Sequence, residues 1–280
     1  MFGFFRRRKG RVFFAKLGKK GRLGNQLFQI ASTIGIARTN GMQPVFPEWT
    51  YEKYFRRKPP KATPRDSNLP EVLERSFSYH PLVLSGSCVI DGYFQSERYF
   101  RQHSNEIVAQ FSLRQEYFAE VERLFAAYGF PDCSMHVRRG DYVGNAGLYD
   151  LGESAYYPRA LSRLAPRARI LCFSDDPHWC RAKFSDPRIS FVEPHDDILD
   201  LFLFSRCQTN IISNSTYSWW GAWLNPRCDA AVFAPDRWFA GTNVDPAQPI
   251  RATAEGFSGY HDASGVIPQG WTKLNCEANA

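Results

Sequence analysis

The 280-residue chain lacks the marks of several protein classes. No run of about 18 apolar residues occurs, so no segment reads as a membrane-spanning helix. The start, Met1-Phe2-Gly3-Phe4-Phe5-Arg6-Arg7-Arg8-Lys9, has no apolar core after its charges and is not expected to be a secretory signal. The seven cysteines (Cys88, Cys133, Cys172, Cys180, Cys207, Cys228 and Cys276) are scattered, odd in number and without a C-x-x-C pair. That pattern argues against structural zinc and against a disulfide scaffold. Cysteines in apolar runs pack as small hydrophobes, and a reducing cytoplasm fits best. There is no G-x-S-x-G elbow, no Walker loop and no G-x-G-x-x-G fingerprint. Asp-x-Asp is absent too; Asp175-Asp176 and Asp196-Asp197 are adjacent pairs whose side chains tend to diverge, so no metal is expected.

Positive charge is unevenly spread. The chain carries +7 overall, but residues 6–22 hold nine basic side chains and no acidic one, which leaves −2 for the rest. The body is therefore not a basic nucleic-acid binder. Residues 1–10 read as a basic arm, either a solubilising tail or, with Phe2, Phe4 and Phe5, a peripheral contact with an anionic membrane through residues 2–22. Nucleic-acid binding through this arm would show as steeply salt-dependent DNA affinity lost on its deletion.

Residues 40–75 are rich in proline and read as a long loop or a set of short elements. A break near Gly129-Phe130-Pro131-Asp132 suggests two units, residues 11–129 and 130–280. The second is regular. Apolar runs at Ser134–Val137, Arg169–Ser174, Ile189–Val192, Asn210–Ser213 and Ala230–Ala234 read as strands. Helical segments lie between them at Tyr156–Leu164, Pro177–Phe184, Asp197–Cys207 and Tyr217–Leu224. This alternation predicts βαβ units and a buried parallel sheet.

Each of the first four strands is followed by polar residues: Arg138-Arg139-Gly140-Asp141, Ser174-Asp175-Asp176, His195-Asp196-Asp197 and Asn214-Ser215-Thr216-Tyr217. In open α/β sheets the carboxyl edge is where ligands bind. His136-Val137-Arg138-Arg139-Gly140-Asp141 is either an ion-paired turn or a clamp for a diphosphate, since guanidiniums grip phosphate oxygens bidentately. Ser215 or Thr216 would cap a helix whose free N–H groups suit an anion. Trp219, Trp220 and Trp223 are most simply core packing. In the first unit, Gly21-Arg22-Leu23-Gly24-Asn25-Gln26 precedes an amphipathic segment with Leu27, Phe28, Ala31 and Ile34 on one face. There Gly24 permits close backbone approach, Asn25 would cap the helix, and Asn25 and Gln26 offer amides suited to sugar hydroxyls.

Three stretches together, GRLGNQLFQ (21–29), HVRRGDYV (136–143) and SNSTYSWWGAWL (213–224), resemble the signature motifs of the bacterial α-1,2-fucosyltransferase family. DGYFQSERYF (91–100), FSDD (173–176) and DLFLFS (200–205) are similar to it as well. The resemblance covers roughly residues 11–240. It implies a GT-B fold of two Rossmann-like domains facing a cleft. The implied reaction is metal-free, inverting transfer of L-fucose from GDP-fucose to the 2-hydroxyl of a galactoside in a surface glycan.

By position, the resemblance makes Arg138 the group that binds the β-phosphate, with His136 and Arg139 in support and Asp141 orienting the arginines. Ser215, Thr216 and Tyr217 would hold phosphate, with Ser174 and Asp175 also on the donor side. Asp200 would read guanine, and Gly24, Asn25 and Gln26 would face fucose and acceptor. The base is open between Asp141, His195 and a carboxylate not yet placed. Residues 40–80 resemble nothing in the family, which leaves the acceptor open. The competing expectations are a transferase of another GDP-linked deoxysugar and a non-catalytic glycan or nucleotide binder on the same fold. An arginine clamp for diphosphate argues against a pure lectin.

Overall fold

The computed structural model describes residues 10–66, 68–144, 148–239, 251–253, 256–258 and 265–277. Residues 1–9, most of the basic arm, lie outside them.

The chain folds as two parallel sheets whose carboxyl edges face each other. The first is built from β1 (Arg11–Phe13), β2 (Gln43–Val45), β3 (Glu71–Leu73) and β4 (Cys88–Asp91), in the order β2-β1-β4-β3. Helix α1 (Leu23–Thr39) makes the crossover from β1 to β2. Two further helices, α2 (Ser104–Gln110) and α3 (Gln115–Ala127), lead to the second sheet.

In the second sheet β5 (Cys133–Val137), β6 (Ile170–Ser174) and β7 (Ile189–Phe191) alternate with α4 (Tyr156–Ser162) and α5 (Pro177–Lys183). Then come α6 (Asp197–Phe204), β8 (Thr209–Ile211), α7 (Thr216–Trp223) and β9 (Ala231–Pro235). A hairpin of β10 (Arg251–Thr253) and β11 (Gly256–Ser258) precedes β12 (Thr272–Leu274), which joins the edge of the sheet. The order β12-β9-β8-β5-β6-β7 is that of a doubly wound dinucleotide fold, and every pairing in it is parallel. Its switch point, where the winding reverses, lies between β5 and β8. The central strand β5 is buried along its whole length, as a strand covered by helices on both faces must be.

All five expected strands and four expected helices of the second half are present, with no end shifted by more than three residues. The first half differs more. Helix α1 is buried on every side, not along one stripe, because it is wedged between its own sheet and α7. The region 40–75 contains β2, β3 and short 3-10 turns at Thr50–Tyr54 and Pro64–Asp66. Helix α3 precedes the 129–132 break yet packs on α6 of the second half.

One hydrophobic core runs through both halves. It joins Val12, Phe14, Phe28 and Phe100 to Leu171, Phe173, Trp219 and Trp220. The Phe28 ring lies 4.4 Å from Trp219 and 5.1 Å from Trp220, all three fully buried. Each such ring stabilises by about 2–3 kcal/mol through burial alone. The tryptophans are therefore packing residues, as expected from their spacing.

Candidate functional site

The two carboxyl edges meet in register. The segment after β2 meets the one after β7: Tyr54 Oη donates to Asp196 Oδ2 at 2.8 Å, and Tyr51 Oη to Asp197 Oδ2 at 3.2 Å. The turn after β1 meets the turn after β8: Thr216 Oγ1 donates to Asn25 Oδ1 at 3.1 Å. The segment after β3 meets the one after β9, with the rings of Phe77 and Phe239 4.8 Å apart. Between these contacts lies a cavity of about 650 Å³.

Arg138 leaves the end of β5 and lines this cavity. Its guanidinium is held from two sides, by Asp175 Oδ2 at 2.8 Å and by a short ion pair to Asp141. Asp175 also accepts the Arg139 backbone N–H at 2.8 Å. Asp141 thus pairs with Arg138 and not with Arg139, and Asp175 holds the same guanidinium from the other side. Ser174, also at the cavity wall, accepts the Asp176 N–H at 3.0 Å and shapes that turn. Asp176 itself turns away and caps α5.

Arg139 departs from expectation. Its guanidinium stacks 3.9 Å above the Trp179 ring and bonds Asp150 at 3.0 Å, away from the cavity. Consecutive residues leaving a strand point to opposite sides, so only one of the two guanidiniums enters the cleft. A second one does approach from the opposite wall: Arg22, in the turn after β1, lines the cavity.

The start of α7 completes this part of the site. Ser215 is its N-cap, with Oγ accepting the Tyr217 N–H at 3.4 Å. Thr216 and Tyr217 follow on the first turn and line the cavity. The start of α1 abuts it at Gly24, where an added Cβ would sit 2.5 Å from Thr216 C and Tyr217 N. No side chain fits there, so glycine is what lets the two helix starts touch.

Asn25 does not cap α1; Arg22 occupies that position without a side-chain bond. Its Oδ1 accepts both Thr216 Oγ1 and, at 2.9 Å, Gln95 Nε2. This leaves the Asn25 amide nitrogen to donate, so Asn25 can bind an oxygen lone pair. Gln26 is not cavity-facing: its amide donates to Gly21 O at 3.0 Å and accepts Trp49 Nε1 at 2.8 Å, bracing the turn.

His136 lies buried below Arg138, with Nδ1 2.8 Å from Ser213 Oγ. Burial, reinforced by the Arg138 charge, holds its pKa down at about 3, so it is neutral at pH 7 and adds no charge to the cavity wall. In the unfolded chain it would take up a proton near pH 6.5. The stability gained from this neutral histidine is therefore complete above pH 6.5 and declines as the pH falls towards 3. Urea unfolding of the wild type should lose stability between pH 6.5 and 4.5. His136→Gln should flatten that loss by up to about 1.4 kcal/mol per pH unit; an unchanged slope would contradict the assignment.

At the β7 end, Asp200 receives His195 Nδ1 at 2.7 Å and the His195 backbone N–H at 3.3 Å. Burial outweighs these bonds and raises the Asp200 carboxyl above its ordinary value. Asp200 and His195 both line the cavity.

The structure thus gathers Gly24, Asn25, His136, Arg138, Asp141, Ser174, Asp175, Asp200, Ser215, Thr216 and Tyr217 around one space and leaves out Arg139 and Gln26. Sequence reasoning missed Arg22 and Gln95, although both lie inside recognised motifs. It also missed Phe77, which lies in none.

Two facing parallel α/β sheets with a cavity across their carboxyl edges make this a protein of the GT-B glycosyltransferase fold. A family model described as glycosyl transferase family 11 matches residues 86–242, and the chain belongs to that family. It is similar to the O-antigen biosynthesis glycosyltransferase WbnK of Escherichia coli, 32% identical over 176 residues, covering 58% of each chain. An Escherichia coli alpha-1,2-colitosyltransferase is 30% identical over 184 residues, 59% of this chain and 61% of that one. The alignments therefore span about three fifths of these relatives. Among solved structures, the NodZ alpha-1,6-fucosyltransferase soaked with GDP-fucose aligns with a TM-score of 0.52 at 17% identity, over 78% of this chain and 94% of that one. That likeness is one of fold.

Proposed function

We propose that the chain is an inverting galactoside 2-α-L-fucosyltransferase that moves L-fucose from GDP-β-L-fucose to a galactoside of a surface glycan. The observation that carries this reading is Arg138, aimed into the cavity beside the start of α7 at the switch point of the sheet. Cleaving a sugar–phosphate bond leaves an oxocarbenium-like sugar and puts negative charge on the departing GDP. A fixed guanidinium and the first-turn N–H groups of a helix stabilise that charge as it grows, more than in the ground state. Ser215, Thr216 and Tyr217 would hold phosphate from the same side, and Asp200 would accept the guanine N–H donors. Asn25 would donate to a sugar or acceptor oxygen, since its carbonyl is already occupied.

A second reading, transfer of another GDP-linked deoxysugar, is favoured by the colitosyltransferase relative. Incubating the protein with a panel of GDP-sugars and galactosides, followed by linkage determination, separates the two. Transfer of fucose in α-1,2 linkage, persisting in chelator, is the expected result. Inactivity with GDP-fucose on every acceptor rejects the first reading, and chelator loss rescued by a divalent ion rejects metal independence.

We also place the protein in the cytoplasm, at the inner membrane face, through residues 2–22. Within that stretch Lys16 and Lys20 are committed to Asp91 and Arg11 to Asp66. An anionic surface would thus be met by Arg6, Arg7, Arg8, Lys9 and Lys19, since Arg22 lines the cavity.

A further inference from the structure

Asn25 is the side chain placed to donate to a sugar oxygen, and its neighbours decide which end of its amide does so. Its Oδ1 accepts Gln95 Nε2 at 2.9 Å and Thr216 Oγ1 at 3.1 Å. An asparagine amide can turn by half a rotation and exchange its donor end for its acceptor end. Thr216 does not prevent this, because a hydroxyl both donates and accepts. Gln95 does, by presenting its Nε2 to the Asn25 carbonyl.

Gln95 follows β4 at the carboxyl edge of the first sheet, buried and at the cavity wall. The residue before it, Phe94, has a φ of +50°, a left-handed conformation that a bulky side chain seldom takes. Such a conformation persists where its surroundings over-determine it. Here they do. The Phe94 carbonyl accepts Ser32 Oγ from α1 and the Ser96 N–H, both at 2.9 Å. The Phe94 N–H donates to Glu74 Oε1 at 2.9 Å, and the Tyr93 N–H to Glu74 Oε2 at 2.6 Å. The Phe94 ring is fully buried, edge-on to Tyr99 at 5.3 Å.

Glu74 follows β3 and is only 4% exposed. Lys20, whose charge reaches it, bonds Asp91 at 2.9 Å instead. A buried carboxyl without a bonded cation is costly to the fold. Both of its oxygens go to two consecutive main-chain N–H groups, which places the turn and nothing else. Gly92 lets the carboxyl come so near: an added Cβ there would lie 2.4 Å from Glu74 Cβ and 2.6 Å from Oε2.

We propose that Glu74 and Gln95 are positioning residues for Asn25. Glu74 clamps the strained turn that carries Gln95, and the Gln95 amide keeps the Asn25 carbonyl occupied, so that the Asn25 N–H groups are the ones offered to substrate. The inference rests on the transferase reading above, in which Asn25 meets a sugar or acceptor oxygen, and it extends the site to a residue outside the cavity wall.

The test uses the full chain with GDP-fucose and a galactoside. Gln95→Glu offers Asn25 an acceptor in place of a donor, so the Asn25 amide turns round and commits its N–H to the new carboxylate. The expected result is a fall in kcat of about 10²-fold. Gln95→Met removes the donor without adding charge, and Glu74→Gln sets an amino group against one of the two main-chain N–H groups. Each should lower kcat by about tenfold, with melts to confirm folding. The discriminating readout is coupling: in an Asn25→Ala background neither Gln95 substitution should lower kcat further, whereas a merely structural role would cost the same in both backgrounds. In isotope-labelled protein the Asn25 side-chain amide signal, identified by its loss in Asn25→Asp, should move downfield in Gln95→Glu as it gains a charged partner. Wild-type kcat in both Gln95 variants, additive losses in the Asn25→Ala background, or an unmoved Asn25 signal would each overturn the proposal. A wild type that transfers no sugar from any GDP-sugar would refute the transferase reading separately, and the amide signal then decides the positioning alone.

Discussion

Arg138→Ala should lower kcat for sugar transfer by about 10³-fold, and Arg138→Lys nearly as far, with the fold intact. The size of the effect follows from where the guanidinium stands. Its side chain is only 13% exposed, so its field is little screened by water. It is fixed in advance by two carboxylates, Asp141 and Asp175. Orientation is therefore not lost when charge develops on the leaving group. A lysine ammonium could meet one of those carboxylates or one phosphate oxygen, but it cannot hold two partners in a planar fork. Turnover of purified variants, with thermal melts to confirm folding, checks this. Wild-type-like kcat in either variant would refute the role.

Gly24→Ala should cost the protein both stability and turnover. The added methyl would lie 2.5 Å from the backbone of Thr216 and Tyr217 and 2.7 Å from Thr216 Oγ1. Two of these are main-chain atoms at a helix start, and they cannot swing aside as a side-chain tip can. Overpacking of this kind costs about 2–3 kcal/mol, which for a chain of this size lowers Tm by about 5 °C or more. Relief requires α1 and α7 to separate, which breaks the Asn25–Thr216 bond and widens the cleft beside it. A melt and a kcat measurement on the same preparation read both effects. An unchanged Tm would show that the helix starts do not touch as described.

The second half was legible because a parallel sheet imposes a readable rhythm: an apolar run, a polar turn, a helix. The turns after β5, β6, β7 and β8 read as one edge from that rhythm alone. The first half obscures that rhythm. Its strands are three or four residues long, and α1 carries no stripe because it has no solvent side. Errors among the site residues share a cause. Arg139 and Gln26 each neighbour a residue that does face the cavity, and a motif read as a string cannot tell the two sides of a chain apart. Arg22 and Gln95 had motif membership but no stated chemistry. Phe77 becomes a site residue only when β3 and β9 are seen to face each other.

The shared core has a consequence for modularity. Phe28 and Phe100 from one half pack against Trp219 and Trp220 from the other. Cutting or grafting the chain near residue 130 would leave those rings in water on both pieces. The two halves therefore cannot be separated or exchanged near residue 130, and any substitution at the cleft has to leave the α1–α7 contact untouched.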